Sequence, residues 1–296
     1  MNPTPVTFDV PGGILHGLRF GTGDRTVLAV HGITASAMAW PAVAAALPDG
    51  WSLVALDLRG RGASRELPGP FGMAAHAADV AAAATALGGD LVLVGHSMGA
   101  YVSVLAAAAH PDLFTRLVLV DGGVPLPLPE GADPDEVLAA TLGPALERLR
   151  TTYPSVQAYV DFFRAHPALG PSWDDTIEAY VRYDALETPE GVRSRAADAA
   201  VRADGRDLLL SAAAIDDALR AAPVPTTLLV APSGMFGRPP GLLPADAVTA
   251  YDAAVPTLDV ETVADTNHYT ILFGAEAARR VAAVVAGVAG GSLTRP

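Results

Sequence analysis

"LVLVGHSMGAYVSVLAAAAH", residues 91–110, decides how the rest of the chain is read. An uncharged apolar run, the turn Gly95-His96-Ser97-Met98-Gly99 and an alanine-rich stretch spell a buried strand, a sharp bend and a helix. A serine lifted onto such a strained bend needs very small neighbours two residues to either side, and Gly95 and Gly99 meet that need. The helix that follows points its free N–H groups at any negative charge that develops beside Ser97. Ser64, Ser172 and Ser292 also follow a glycine at the same spacing, yet none has the closing glycine or the strand-turn-helix context. Ser97 is therefore the candidate nucleophile.

Working outward, similar short apolar runs recur: "TVLAV" ending at Val30, "SLVALDL" ending at Leu58, "LVLVD" at 117–121 and "TTLLV" at 226–230. Continuous runs of this kind suit strands buried on both faces, and the spacers are long enough for crossover helices. The pattern predicts an α/β fold, a mostly parallel eight-stranded sheet flanked by helices. "VTFDV" and "ILHGLRF" read as an antiparallel pair around Pro11-Gly12-Gly13. After Gly123 the rhythm breaks: helix-like segments at 137–150 and 155–165 follow, with no convincing core strand. Residues 124–206 are expected to form an inserted helical cap over the carboxyl edge of the sheet, and residues 1–123 and 207–296 the core. The core is expected to resume with a helix at 207–221, a last strand at 257–263, a last helix at 271–288 and a frayed tail, "GGSLTRP".

Composition removes several chemistries. The chain of 296 residues has no cysteine, and all its basic residues are arginine, which excludes thiol nucleophiles, disulfides, cysteine-ligated zinc and lysine Schiff bases. A net charge of −13 argues against nucleic acid as a partner. No uncharged apolar run reaches the ~18 residues of a membrane span. The opening "MNPTPVTFDV" has no basic residue followed by an apolar core, so a cytoplasmic location is expected. His16, His76, His110 and His166 stand singly, no helical metal pair is present, and neither a metal nor another cofactor is expected.

If Ser97 attacks a carbonyl, the resulting oxyanion needs two donors. The N–H of Met98 is one candidate, and the N–H of Ile33, in "LAVHGITAS", is the other. His31 reads as structural, and His96 is expected to point away from the Ser97 side chain. His268 lies in a loop after a strand, a place that suits a base able to swing onto the serine hydroxyl.

"HGITAS" at 31–36, "DLRGRGAS" at 57–64, "GHSMGA" at 95–100 and "NHYTIL" at 267–272, in this order, resemble the α/β-hydrolase superfamily in its branch of small esterases, lactonases and carbon-carbon bond hydrolases. The resemblance covers nearly the whole length. It implies the α/β-hydrolase fold, His268 as the histidine before the last helix, and a structural turn at Asp57, Arg59 and Arg61. It also implies an acid after the next-to-last strand, but there the chain reads "LLVAPSGMFGRPPG", with Met235 at the acid's place and no carboxylate before Asp246. Some relatives carry the acid one core strand earlier, where this chain has Asp121. Asp121 is preferred over Asp246, and over Asp265, which is too near His268 in sequence. The expected activity is cofactor-independent cleavage of a small, largely apolar carboxylic ester or lactone through an acyl-enzyme. Carbon-carbon bond hydrolysis, thioester hydrolysis and perhydrolysis use the same triad, and a ligand-binding receptor on this fold is the alternative of another class. Tyr153, Tyr159, Phe162, Phe163 and Trp173 are read either as an apolar substrate wall or as cap core.

Overall fold

The computed structural model of the chain describes residues 2–126, 128–222 and 224–287. β1 (Thr4–Val10) and β2 (Gly13–Phe20) form an antiparallel pair, as expected. β3 (Arg25–Val30), α1 (Pro41–Ala46), β4 (Trp51–Leu56), α2 (Met73–Ala86), β5 (Leu91–His96), α3 (Met98–Ala109) and β6 (Phe114–Val120) then alternate. The next segment contains α4 (Pro134–Arg150), α5 (Val156–Arg164), α6 (Asp175–Asp184), the hairpin strands β7 (Ala185–Thr188) and β8 (Gly191–Ser194), and α7 (Asp198–Leu210). The chain closes with α8 (Ala212–Arg220), β9 (Thr226–Val230), α9 (Ala245–Ala254), β10 (Leu258–Thr262), α10 (Thr270–Phe273) and α11 (Ala275–Ala286). The expected helix end at Val288 and the tail lie outside the described residues.

The main sheet has eight strands in the order β1-β2-β4-β3-β5-β6-β9-β10, and only the pairings made by β2 are antiparallel. Its strands feed two apolar layers by simple alternation. Leu91 and Leu93 of β5, with Leu117 and Leu119 of β6, pack toward α2, α3, α8 and α9, whereas Val92, Val94, Val118 and Val120 pack toward α1 and α11. At ~1.5–3 kcal/mol for each fully buried aliphatic side chain, this alternation fixes the register: a one-residue slip would exchange the two layers.

Two features of the 124–206 segment differ from the sequence reading. It is not wholly helical, because 185–194 folds as a hairpin. The helix expected at 207–221 is two helices that meet at Ser211, and α7 runs straight through position 206/207, where the return to the core was placed. Leu138, Leu142, Leu146 and Leu149 line one face of α4 and join the first apolar layer with Val201 of α7, while Tyr159, Phe163, Ile177 and Tyr180 join the second. Polar ties add to this packing. Tyr183 donates to Asp57 Oδ2 at 2.5 Å, the Arg65 guanidinium donates to the carbonyls of Ser194 and Arg195 at 3.1 and 2.7 Å, and Asp204 accepts the Gly72 N–H at 2.6 Å.

Candidate active site

Ser97 sits at the carboxyl end of β5 with φ 53° and ψ −125°, a conformation that costs ~1–3 kcal/mol and persists because the surroundings dictate it. Its N–H donates to the Val120 carbonyl at 2.9 Å, tying the bend to β6. The flanking glycines are required by contact: a Cβ on Gly95 would lie 2.2 Å from the Gly99 carbonyl oxygen, and one on Gly99 would lie 2.2 Å from that of Val30. Ser97 alone stays partly accessible between the buried residues of β5 and the buried start of α3.

Asp121 follows β6 at the same sheet edge. It is fully buried and also holds a positive φ, 47°. Its N–H donates to the Leu229 carbonyl at 2.8 Å and its Oδ1 accepts the Ala231 N–H at 3.1 Å, so β9 and the residue after it fix its main chain and one carboxylate oxygen. Its Oδ2 lies 2.6 Å from His268 Nδ1. His268 is itself buried, and its carbonyl accepts a hydrogen bond from His96 Nε2 at 2.8 Å. The His96 ring lies against that of His268, 4.7 Å between centroids. Burial, with the neighbouring His268, pushes the His96 pKa well below its ordinary value, so His96 is a neutral donor that holds the His268 loop. Ser97 and His268 share one cavity wall, but no hydrogen bond joins their side chains among the described residues. Such bonds often shorten only when substrate is present.

The competing carboxylates are elsewhere. Asp246 is exposed in the first turn of α9, where it accepts the Ala247 N–H at 2.9 Å. Asp265 is exposed on a turn. Met235 is half-buried in the loop after β9 and forms part of the cavity wall.

Ile33 and Met98 line the same cavity as Ser97. Met98 heads α3, so its N–H has no acceptor within the helix. The Ile33 N–H makes no protein hydrogen bond among the described residues. The Ile33 carbonyl is held by Arg61 Nε at 3.0 Å, and Arg61 also bonds the Arg59 carbonyl and pairs with Asp204 of α7. Asp204 faces His76 at 2.9 Å as well. Burial works against its charge, yet Arg61 and His76 hold its pKa below the ordinary carboxylate value. Sequence reasoning missed this buried group, because Arg61 and Asp204 lie on different elements and neither belongs to a local pattern that names the other. His31 is structural: Leu58 N–H donates to its Nε2 at 3.1 Å, its Nδ1 faces the Gly32 carbonyl at 2.7 Å, and burial lowers its pKa to about 3.

The cavity above Ser97 encloses about 100 Å³. Leu126, Leu138, Leu142, Leu208, Leu209 and Leu242 form much of its wall, and no Arg, Asp or Glu among the described residues lines it. Tyr153, Tyr159, Phe162, Phe163 and Trp173 do not line it, whereas Tyr180 of α6 does. Tyr153 packs on Tyr159, Phe162 on Phe163, and Trp173 under Arg164, which makes these five core of the 124–206 segment rather than substrate wall.

A serine on a strand-to-helix bend beside a buried histidine–aspartate pair defines a protein of the nucleophile-elbow class. The sequence pattern of the alpha/beta hydrolase fold family matches residues 25–275, and the chain belongs to that family. It is 44% identical over 108 residues to an N-formylmaleamate deformylase of Pseudomonas putida (36% of this chain, 40% of that one). It is 38% identical over 130 residues to lipase LipV of Mycobacterium tuberculosis (43% and 48%). These matches thus span less than half the length of either relative. A solved structure of E-2-(acetamidomethylene)succinate hydrolase has the same fold, with a TM-score of 0.81 at 24% identity over 96% of this chain and 99% of that one. No helix among the described residues is long and apolar enough to cross a membrane.

Proposed function

We propose that the chain is a cofactor-independent serine hydrolase that cleaves a carboxylic ester or lactone with a small apolar acyl group. The observation that carries this reading is the 2.6 Å contact between His268 Nδ1 and Asp121, beside Ser97 in a wall without formal charge. Asp121 fixes the tautomer in which His268 Nε2 is free to take the Ser97 proton, and it offsets the imidazolium that results. Ser97 Oγ then attacks the acyl carbon, and the N–H groups of Ile33 and Met98 receive the oxyanion, each contributing ~3 kcal/mol. His268 returns the proton to the departing alkoxide, and a water activated by the same histidine releases the acid.

The deformylase among the relatives supports a second reading, removal of an acyl group from nitrogen. The wall within reach of Ser97 is uncharged among the described residues, so both readings share a small neutral acyl group and differ in the leaving atom, oxygen or nitrogen. The ester reading is preferred on the lipase relative. Fluorophosphonate labelling tests it: wild type is expected to label, Ser97→Ala not, and short-chain nitrophenyl esters to be hydrolysed only by wild type. Absence of both labelling and turnover in wild type would instead favour a receptor.

A further inference from the structure

A second cavity adjoins the first. It occupies about 690 Å³ between α4 and the loop that follows β9, and the two cavities share Thr141, Met235 and Leu242 as a common wall. The inner cavity, at about 100 Å³, holds several waters' worth of space but is well short of the ~300–1,000 Å³ typical of sites that take a whole ligand. The outer one falls within that range. Arg238 lies in its wall, exposed, with no carboxylate at ion-pair distance among the described residues. Among the described residues neither cavity is lined by an acidic side chain, and Arg238 is the single cation in the two walls. Its backbone is fixed by a tight turn in which the Gly234 N–H donates to the Arg238 carbonyl at 2.9 Å and the Gly237 N–H to the Gly234 carbonyl at 3.0 Å. On a chain of net charge −13, an unpaired guanidinium at the rim of an otherwise uncharged cleft is a local attractor for anions.

We infer that the two cavities are two halves of one substrate site. The acyl group enters the apolar inner cavity at Ser97, and the rest of the substrate passes over Met235 and ends in an anionic group, carboxylate or phosphate, that pairs with Arg238. This rests on the hydrolase reading for the inner half only. It also gives Met235, which replaces the acid expected after β9, a role as the partition that the substrate crosses.

The test is equilibrium binding to the Ser97→Ala protein, so that no turnover is needed, of three benzyl esters matched in length. One ends in a carboxylate, one in a phosphate and one in a neutral methyl ester. At low ionic strength the anionic esters are expected to bind about fivefold more tightly than the neutral one, the scale of an exposed ion pair, and the preference is expected to shrink with added salt. Adding Arg238→Ala should remove it and Arg238→Glu reverse it, with the neutral ester unaffected throughout. The ranking of carboxylate against phosphate tells which of the two anions the Arg238 end of the site prefers. Equal binding of all three esters, or a preference that survives Arg238→Glu, would overturn the inference. Because binding is read without Ser97 chemistry, a failed fluorophosphonate test would leave this result standing.

Discussion

Two buried carboxylates, Asp121 at the sheet edge and Asp184 at the end of α6, differ in how their hydrogen bonds close. Asp184 Oδ2 is met by Arg148 at 2.6 Å, by Ser194 Oγ at 2.9 Å and by the Tyr159 hydroxyl, and Arg148 is itself bonded to Tyr159 and Ser194 and lies over the Phe163 ring. The side-chain partners of Asp184 Oδ2 also bond one another, with the Ala196 N–H on Ser194 Oγ at 3.1 Å and the Thr34 carbonyl on Arg148 at 3.4 Å as links outward, which ties α4, α5, α6 and β8 into one block. Asp121 instead meets one side chain, His268, besides the Ala231 N–H, and the Nε2 of that histidine has no protein partner among the described residues. Equal burial therefore serves two ends: a mutually bonded polar cluster contributes rigidity, and the other leaves His268 Nε2 free in the cavity that Ser97 also lines, as the proposed reaction requires.

The contrast can be broken by mutation. Asp121→Asn is expected to lower kcat by ~10⁴ with little loss of stability, measured as ester turnover and a urea midpoint. Arg148→Ala should do the opposite, costing ~3–5 kcal/mol in urea unfolding because it strands Asp184 without its cation, while turnover per folded molecule stays within about tenfold. Should Arg148→Ala cut kcat as deeply as Asp121→Asn at unchanged stability, the distinction between the two carboxylates would collapse.

The acid dependence of stability sharpens it further. His31 and His96 are both buried with lowered pKa values, so the folded chain keeps them neutral while the unfolded chain binds protons below about 6.5. Their stabilising contribution is complete above that pH and is lost as the pH falls toward the folded value, about 3 for His31, at ~1.4 kcal/mol per pH unit for each histidine. Unfolding midpoints between pH 7 and pH 4 should show this slope, and His31→Gln should reduce it by one proton. The smallest effect is expected at Asp246. Asp246→Asn should change kcat by less than twofold and stability by at most ~0.5 kcal/mol, since that side chain is exposed and only caps its own helix.

The elbow was legible because Gly95 and Gly99 answer a local steric demand that sequence spacing records. The strands were legible because their two-sided burial leaves uninterrupted apolar runs. Asp121 came to notice through the resemblance, which allows the acid one core strand earlier when, as here, Met235 stands at the usual place. The hairpin at 185–194 was not legible, since its four-residue strands, "ALET" and "GVRS", are too short and too polar to show alternation. The leucines above Ser97 escaped notice for a related reason. Leu138 and Leu142 of α4 and Leu208 and Leu209 of α7 read as ordinary helix-packing residues, and only the pairing of those two helices turns them toward the cavity. The aromatics at 153–173 drew attention by their size, yet size commits Tyr153, Tyr159, Phe162 and Phe163 to packing on one another and Trp173 to packing under Arg164.

The ties between the 124–206 segment and the core bear on how fast the site can open. Tyr183 on Asp57, Arg65 on the Ser194 and Arg195 carbonyls, and Asp204 on Gly72 pin that segment from several sides. Swinging it away would break all of them together, a collective event of the microsecond-to-millisecond class. Turning the half-buried Met235 side chain, which stands between the two cavities, belongs to the far quicker class of single-rotamer motions. On the two-cavity inference, traffic to Ser97 runs on the clock of one side chain while the surrounding scaffold stands still.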